Sequence, residues 1–416
     1  MASFGELLRS ADFWKHASIP FVAAVVGWAT NWVAVKLTFL PLEYRGIRPI
    51  LGWQGIIPSK AGKMAAIFAE STMFRLGTLG EIFRHMDPGA MAVHITGVVD
   101  RRLEGYTDEI MFWRGKSALW RTVPAGVRER VYTRVRAELP ERVDALMHVI
   151  GDDVEELVDF KHMLVTELEG DKALLNRLFL ESGEAEFKFI IRSGLYFGFL
   201  FGLIQLTVWV FYKEWWVLPV FGLIVGFVTN WIAINLIFRP LNPTRVGPWT
   251  VQGLFLQRQS QVAAVWCRLV TREIVTIRQI IHAMLTGPRS EKTREVIRRH
   301  IRPLVDEAVD AMGVLRPAAE LAVGEEGLDE IRDSVGEKAV EVSAEPFNHW
   351  PFNEERAEIL EELLRERMVA LPSVEFQDLL RPCFQEDEWK LILTGAVLGF
   401  LAGLAQLIFV FGGFGG

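Results

Sequence analysis

Cysteine is almost absent from this chain of 416 residues, which contains two, Cys267 and Cys383. They do not form a CxxC pair, so the sequence predicts neither a zinc knuckle nor a dithiol redox motif. Two buried thiols are the favoured interpretation, and a disulfide between them is the alternative. The eight histidines are scattered, and the chain has neither an HExxH nor a GxSxG motif. We therefore predict no cofactor, no metal site and no catalytic residue, and expect that the protein is not an enzyme.

An excess of basic residues is also missing, because the net charge is −7. An acidic chain disfavours a nucleic-acid partner. Half of the residues are hydrophobic although 23% are charged, so the two kinds must be segregated along the chain. Nearly uncharged runs lie at residues 19–41, 189–212, 215–239 and 390–412. Each reaches the roughly 20 residues that a helix needs to cross a bilayer.

The first hydrophobic run is expected to be a membrane span rather than a cleaved leader. A signal peptide has a shorter apolar core and a small-residue cleavage site. This run is longer, contains Lys36 and lacks a convincing cleavage site. Residues 1–18 are interpreted as an interfacial segment before it.

The chain is predicted to be a tandem duplication. Residues 27–34, GWATNWVA, match residues 226–233, GFVTNWIA. The glycine-rich sequence of the second span also recurs in the fourth span. Each copy has two spans, an even number, so both copies should insert in the same orientation. We therefore expect a pseudo-two-fold axis along the membrane normal.

The polar segments between the spans show apolar residues at helical spacing and no convincing strand alternation. The predicted fold class is all-α, with four transmembrane helices and two helical soluble domains at residues 42–188 and 240–389. Prolines at five positions predict breaks between helices: Pro88, Pro124, Pro140, Pro288 and Pro351. Basic residues flank the long segments more often than the short connections, which places the soluble domains in the cytoplasm and the termini on the opposite side.

Small residues predict close helix contacts within the membrane. Glycine removes side-chain bulk, so two backbones can approach closely in lipid. The predicted packing glycines are Gly27 and Gly226 in the first and third spans, and Gly194, Gly198, Gly202, Gly395, Gly399 and Gly403 in the second and fourth.

Polar residues within the spans allow two interpretations. The carboxamides of Asn31, Asn230, Gln205 and Gln406 could bond across helices and fix their register, because an unsatisfied polar group in lipid costs several kcal/mol. Alternatively, Asn31 and Asn230, with the threonines that precede them, line a polar site near the pseudo-two-fold axis. These threonines are Thr30 and Thr229.

Charged residues at or near the spans allow similar alternatives. Lys36 lies about a turn from the end of its span and can extend to the interface, with a role in gating or an ion pathway as the minority interpretation. Other cations could set topology or form a pocket for lipid headgroups. These candidates are Arg45, Arg48, Lys60, Lys63, Arg239 and Arg245.

The repeated motifs resemble a known family. The pattern G-x-x-T-N-x-x-A beginning at Gly27, then Phe39-x-Pro41 and the run GIIP ending at Pro58, is similar to the start of the bacterial domain of unknown function 445 family. Two departures are Leu40, where the family has arginine, and Leu256, which occupies the place of Pro58 in the second copy. The resemblance implies a bacterial integral membrane protein, here placed in the inner membrane, and implies no activity.

Two functions are consistent with these features. The first is a non-enzymatic scaffold or assembly factor whose helical domains contact a protein partner. The second is a transporter or lipid-handling protein with a polar site at the Thr-Asn motifs, and an enzyme acting on lipid ranks behind both. Expected partners are membrane lipids and, for the scaffold function, a protein that binds the helical domains; no nucleic acid is expected. A homo-oligomer is compatible with either function.

Overall fold

A computed structural model describes residues 11–47, 51–212, 214–381, 385 and 388–411. It is helical almost throughout, which confirms the all-α fold class. The helices of the first half are α1 (Ala11–Phe39), α2 (Ile56–Ser59), α3 (Ala61–Arg75), α4 (Leu79–His85), α5 (Pro88–Trp113), α6 (Ser117–Thr122), α7 (Ala125–Leu157), α8 (Phe160–Gly170), α9 (Lys172–Ser182) and α10 (Glu184–Phe211).

The second half of the chain continues with α11 (Val217–Phe238), α12 (Leu254–Gln257), α13 (Gln259–Leu269), α14 (Ile277–Thr286), α15 (Ser290–Ile301), α16 (Pro303–Asp310), α17 (Arg316–Val342), α18 (Trp350–Ala370), α19 (Ser373–Leu380) and α20 (Glu388–Phe411). A π-helical turn (Val270–Ile274) follows α13, and short 3-10 turns (Gly313–Leu315 and Glu345–Asn348) flank α17.

Two small antiparallel hairpins interrupt the helices, β1 (Arg45–Ile47) with β2 (Leu51–Trp53) and β3 (Thr244–Val246) with β4 (Trp249–Val251). Each strand has three residues, too few for the alternation by which strands are recognised in a sequence. Each hairpin is followed by a glutamine whose side chain donates to a backbone carbonyl before the hairpin, Gln54 to Leu42 and Gln252 to Leu241.

The chain folds into two compact units, and each takes segments from both halves of the sequence. Unit 1 comprises Met1–Ser71, Leu168–Trp266 and Arg365–Gly416. Unit 2 comprises Thr72–Glu167 and Cys267–Leu364. The central parts of the two polar segments therefore share one unit, where the sequence analysis assigned a separate domain to each.

Unit 1 contains a bundle of the four long apolar helices. Helix α1 packs along α10, and α11 packs along α20. The two pairs are joined by contacts of α10 with α11 and of α1 with both α11 and α20. All four helices are long and apolar enough to cross a membrane.

The outer surface of this bundle carries large apolar side chains, whereas several polar side chains are buried inside it. Exposed apolar side chains occur on every one of the four helices, for example Phe21, Leu200, Trp231 and Phe409. The buried polar side chains include Asn31, Gln205 and Asn230. A surface of this kind is suited to lipid, in which apolar side chains are well solvated and backbone polar groups must pair internally.

Unit 2 is an assembly of amphipathic helices drawn from both halves. Helix α7 packs against α5 from its own half and against α15 and α16 from the other half, and α17 packs against α15, α16 and α5. Apolar residues at helical spacing on α7, among them Val131, Leu139 and Val143, are buried. The helical stripes predicted from the sequence thus face the interior of this unit.

Pro140 does not break a helix as the sequence analysis expected, because it lies inside α7. Proline removes one backbone hydrogen bond and usually ends or kinks a helix. Here Leu139 and Val143, on either side of it, are both buried, so side-chain packing holds the helix across the proline. Pro88 does begin a helix, as expected, since it is the first residue of α5.

Candidate functional site

Asn31 and Asn230 are fully buried and make equivalent contacts between paired helices. The Asn31 Nδ2 atom donates to the backbone carbonyl of Ile190 over 2.8 Å, and the Asn230 Nδ2 atom donates to that of Leu391 over 3.1 Å. Both asparagines have 0% exposed surface. Each amide therefore bonds one helix of a pair to the other, and this geometry suits a role in fixing helix register.

Glycines allow these asparagines to approach the neighbouring backbone. A Cβ added at Gly194 would lie 2.7 Å from the Asn31 Nδ2 atom, and one added at Gly395 would lie 3.1 Å from the Asn230 Cγ atom. Further along the same pair of helices, a Cβ at Gly198 would lie 2.6 Å from the Ala23 carbonyl oxygen. These separations are below van der Waals contact, so the close packing of the helices depends on the missing side chains.

The remaining predicted packing glycines follow the same pattern. A Cβ added at Gly202 would lie 2.6 Å from the Pro20 Cα atom, and one at Gly403 would lie 2.9 Å from the Leu218 carbonyl carbon. A Cβ at Gly27, Gly226 or Gly399 would meet the backbone of the glycine that faces it on the paired helix. In both pairs the contact is therefore backbone against backbone.

Three other buried polar residues of the bundle line a very small cavity. Thr30 donates to the Gly27 carbonyl within its own helix, and Thr229 donates likewise to Gly226. Thr30, Gln205 and Gln406 line a cavity of about 20 Å³. That volume is of the order needed by one water molecule, so the helices pack closely around it. A second cavity of about 100 Å³ is lined by residues of all four helices, among them Thr38, Glu186, Ile234 and Leu391.

Lys36 lies on the outside of the bundle, in the last turn of α1. Its ammonium is 5.2 Å from the centre of the Trp32 ring. A lysine that stacks on a tryptophan near a helix end has the arrangement typical of a residue extending to an interface. It does not line the cavity inside the bundle.

The predicted headgroup candidates that the structure describes lie on the two hairpins, at the end of α11 and at the start of α3. Arg45 and Arg245 are exposed on the two hairpins, and Arg239 is exposed at the end of α11. Lys60 and Lys63 lie at the start of α3, and Arg48 falls outside the described residues. A nearby arginine, Arg258, instead binds the carboxylate of the buried Glu186 through two contacts of 2.8 and 3.0 Å.

A much larger space, which we name the apolar cavity, lies inside unit 2. Its volume is about 530 Å³, within the range of about 300–1,000 Å³ of typical ligand pockets. Its walls come from α5, α6, α7, α14, α15, α16 and α17, with the turn before α6. Large apolar side chains dominate them, for example Leu103, Trp120, Val135, Leu139, Met284 and Ile331.

The walls of the apolar cavity indicate what it can bind. A water molecule needs two to four polar partners to be held in a protein interior, and these walls offer few. An apolar ligand would instead remove both its own surface and the walls from water, which is favourable at about 25 cal/mol per Å². The chemistry of the cavity therefore suits a hydrocarbon group.

Two lysines, Lys116 and Lys338, contribute to the same walls. The Lys338 side chain is 7% exposed, and its ammonium contacts Glu109 at 2.5 Å and Glu341 at 2.9 Å. Burial disfavours its charge, but the hydrogen bonds to these two carboxylates outweigh that effect and raise the pKa of Lys338. The same hydrogen bond lowers the pKa of Glu109. Lys338 is thus held as a cation that joins α17 to α5.

Tyr106, on α5, extends this polar group. Its hydroxyl donates to Glu345 over 2.7 Å, and Arg102 contacts the same carboxylate oxygen at 2.6 Å. Burial and the hydrogen bond to Glu345 raise the pKa of Tyr106 to about 12. The phenol is therefore neutral over the whole physiological range, and its hydrogen bond links α5 to the 3-10 turn that begins at Glu345.

The sequence analysis did not find the apolar cavity, although it found most of the stripes that form it. Val131 and Val135 on α7, like Leu304 and Ala308 on α16, are apolar residues at helical spacing. Periodicity shows which side chains point inward, but it does not show whether the facing stripes fill the space between them. A partial signal was available in Lys338, a charged residue on the same face of α17 as Ile331 and Val335.

Comparison with known proteins gives no match, because no protein-family model, no curated protein and no solved structure is significantly similar to the chain. The resemblance to the domain of unknown function 445 family therefore stays a prediction.

Proposed function

We propose that this protein is a lipid-handling membrane protein that binds a hydrocarbon-containing ligand in the apolar cavity of unit 2. The observation that carries the proposal is the size and chemistry of the cavity, about 530 Å³ with apolar walls. Four helices that suit a bilayer keep the protein in contact with a source of such ligands. This proposal retains the lipid-handling alternative from the sequence and moves its site away from the Thr-Asn motifs.

The proposed placement is the bacterial inner membrane, with the long polar segments in the cytoplasm. The support is the positive charge that flanks these segments, together with the resemblance of the repeated motifs. The proposed activity is binding without chemistry. In this arrangement Thr30, Asn31, Thr229 and Asn230 hold the bundle together and do not contact the ligand.

Quenching of Trp120 fluorescence tests the proposal, because this residue lines the cavity and is nearly buried. The full chain is reconstituted in nanodiscs and titrated with brominated stearyl alcohol, a neutral hydrocarbon probe. Since the chain has 14 tryptophans, the cavity signal is the difference between the wild type and Trp120→Phe. We expect saturable quenching that depends on Trp120.

A filled cavity provides the matched test. Ala308 lines the cavity, whereas Ala137 is exposed on α7. Ala308→Trp should weaken probe binding by about tenfold or more, which corresponds to contacts worth about 1.4 kcal/mol, while Ala137→Trp should not. Quenching that is unsaturable, or that is unchanged in Ala308→Trp, would contradict the proposal.

The scaffold function is the second candidate, and one feature of unit 2 favours it. Large apolar side chains are exposed there on separate elements, including Phe112, Val314, Leu321 and Trp350. Exposed apolar groups of this size are common where another protein binds. If a partner copurifies with the wild type, Phe112→Ser and Leu321→Ser should release it and Thr133→Ala, at an exposed polar position, should not. Purification of the chain alone in several detergents would count against a scaffold.

A further inference from the structure

The turn between α5 and α6 places one cation on the wall of the apolar cavity and a second cation against α17. Lys116 lines the apolar cavity and is half-buried. A Cβ added at Gly327 of α17 would lie 3.7 Å from the Lys116 Nζ atom, so the ammonium rests over the backbone of that helix. Nearby, the Arg114 Nε atom donates to the hydroxyl of Ser334, also on α17.

These cations differ from Lys338, the other lysine of the cavity. Lys338 is matched by two carboxylates. Within the part of the chain that the structure describes, neither Lys116 nor Arg114 lies within ion-pair distance of a carboxylate. The wall therefore carries positive charge that the protein itself does not neutralise.

An unneutralised ammonium beside apolar walls has a direct chemical complement. The complement is a molecule with a hydrocarbon part for the walls and an anion for the ammonium. A hydrogen bond between an ammonium and a carboxylate is shorter and about twice as strong as one between neutral groups. It is also strengthened where one side of the contact is shielded from water.

We propose that the ligand of the apolar cavity is a fatty-acid anion, whose chain lies against the apolar walls and whose carboxylate is bound by Lys116. This inference rests on the proposed function and adds the class of ligand to it. A cavity of about 530 Å³ suits one extended or folded chain, because pockets of this size enclose single drug-sized molecules. Arg114, next to Lys116 in the turn, adds to the positive potential at the carboxylate.

The test compares two probes that differ only in the head group. Brominated stearic acid and brominated stearyl alcohol are titrated into the full chain in nanodiscs, at a pH at which the acid is ionised, and Trp120-dependent quenching is measured. A hydrogen bond to a charged group contributes about 1.5–3 kcal/mol. We therefore expect the wild type to bind the acid at least about tenfold more tightly than the alcohol.

Substitution of Lys116 assigns the preference to this side chain. Lys116→Gln should abolish the preference for the acid while leaving the affinity for the alcohol unchanged, and Lys116→Arg should restore it. Lys292→Gln is the matched control, because Lys292 is an exposed lysine of the same unit that already contacts Glu156. It should keep the preference of the wild type.

The outcomes separate the inference from the proposed function. Equal binding of acid and alcohol, or a preference for the acid that survives Lys116→Gln, overturns the fatty-acid assignment and leaves the cavity as a site for a neutral hydrocarbon. Failure of both probes to bind overturns the assignment and the proposed function together. A preference lost in Lys116→Gln and kept in Lys292→Gln supports both.

Discussion

The interiors of the two units are built on opposite principles. In unit 1, glycines let backbones touch, buried amides cross between helices, and two cavities measure about 20 Å³ and about 100 Å³. In unit 2, bulky aliphatic and aromatic side chains keep the helices apart and leave about 530 Å³. The comparison teaches that small residues close an interior more completely than large ones when the helices that carry them are paired along their length.

Enlarging a residue in each interior should give the most divergent results. Gly198→Leu should destabilise the protein by at least about 3 kcal/mol, because the new side chain would meet the backbone of Ala23 and Ala24. Ala308→Leu, in the apolar cavity, should change stability by less than about 1 kcal/mol. The measurement is the denaturation midpoint in detergent with size-exclusion analysis. Comparable losses for both variants would contradict the comparison.

Removing a lysine should also have different effects on stability in the two units. Lys338→Met breaks contacts to two carboxylates beside the apolar cavity. We expect it to lower the free energy of unfolding by about 1–2 kcal/mol. This is below the 3–5 kcal/mol typical of fully buried pairs, because Glu109 and Glu341 are half-exposed. Lys36→Met, on the exposed surface of α1, should cost less than about 0.5 kcal/mol. The stability of both variants is measured by chemical denaturation. A larger loss of stability for Lys36→Met than for Lys338→Met would contradict the expected difference between the units.

The amide contacts between spans should give a smaller effect. Asn31→Leu should cost about 0.6 kcal/mol, the average for a hydrogen bond between membrane helices, since it removes the hydrogen bond to Ile190. Asn235→Leu provides the control, because the Asn235 side chain donates to the Trp231 carbonyl within its own helix. If the double variant Asn31→Leu and Asn230→Leu folded normally but lost flux or binding of a polar solute, the alternative of a polar site at the Thr-Asn motifs would be favoured instead.

The smallest expected effect is a titration that reports on unit 2 alone. The pKa of Tyr106 is about 12 in the folded chain, against about 10 in an unfolded one. The stabilisation from its protonated form is therefore complete below about pH 10 and is lost as the pH rises toward 12. Tyr106→Phe should remove the latest tyrosinate absorbance step of the folded protein.

Glu345 tests the cause of this shift. Glu345→Gln removes a charged hydrogen-bond acceptor from the Tyr106 hydroxyl, so the pKa of Tyr106 should fall toward its ordinary value while burial keeps it partly raised. A tyrosinate titration identical to that of the wild type would show that burial alone is responsible. Near-ultraviolet absorbance measures both variants.

The four long apolar helices were predicted from the sequence more completely than the helices of the polar segments, for a physical reason. A membrane span is a local property, since about 20 apolar residues suffice, and α11 (Val217–Phe238) falls within the predicted 215–239. The sequence indicated that the buried amides of Asn31 and Asn230 need hydrogen-bond partners. It did not identify the partners, the carbonyls of Ile190 and Leu391, because they lie far away in the sequence on another helix.

The helices that assemble into unit 2 could not be predicted from the spacing of apolar residues along the sequence. Apolar stripes on α7 and α16 show an inward face, but either stripe could pack on its own half or on the other. The structure pairs them across the halves. Lys338 is a second example: its acidic partners include Glu341, one turn away, and Glu109, more than 200 residues earlier in the chain, and only the first is suggested by helical spacing.

The shared composition of the units has a consequence for any interruption of the chain. The connection between α10 (Glu184–Phe211) and α11 (Val217–Phe238) separates the halves, yet each unit is assembled from both sides of it. A premature stop codon there would leave a fragment with two incomplete cores and no intact module. Two fragments divided at this connection could restore the protein only if both were synthesised together and inserted into the same bilayer.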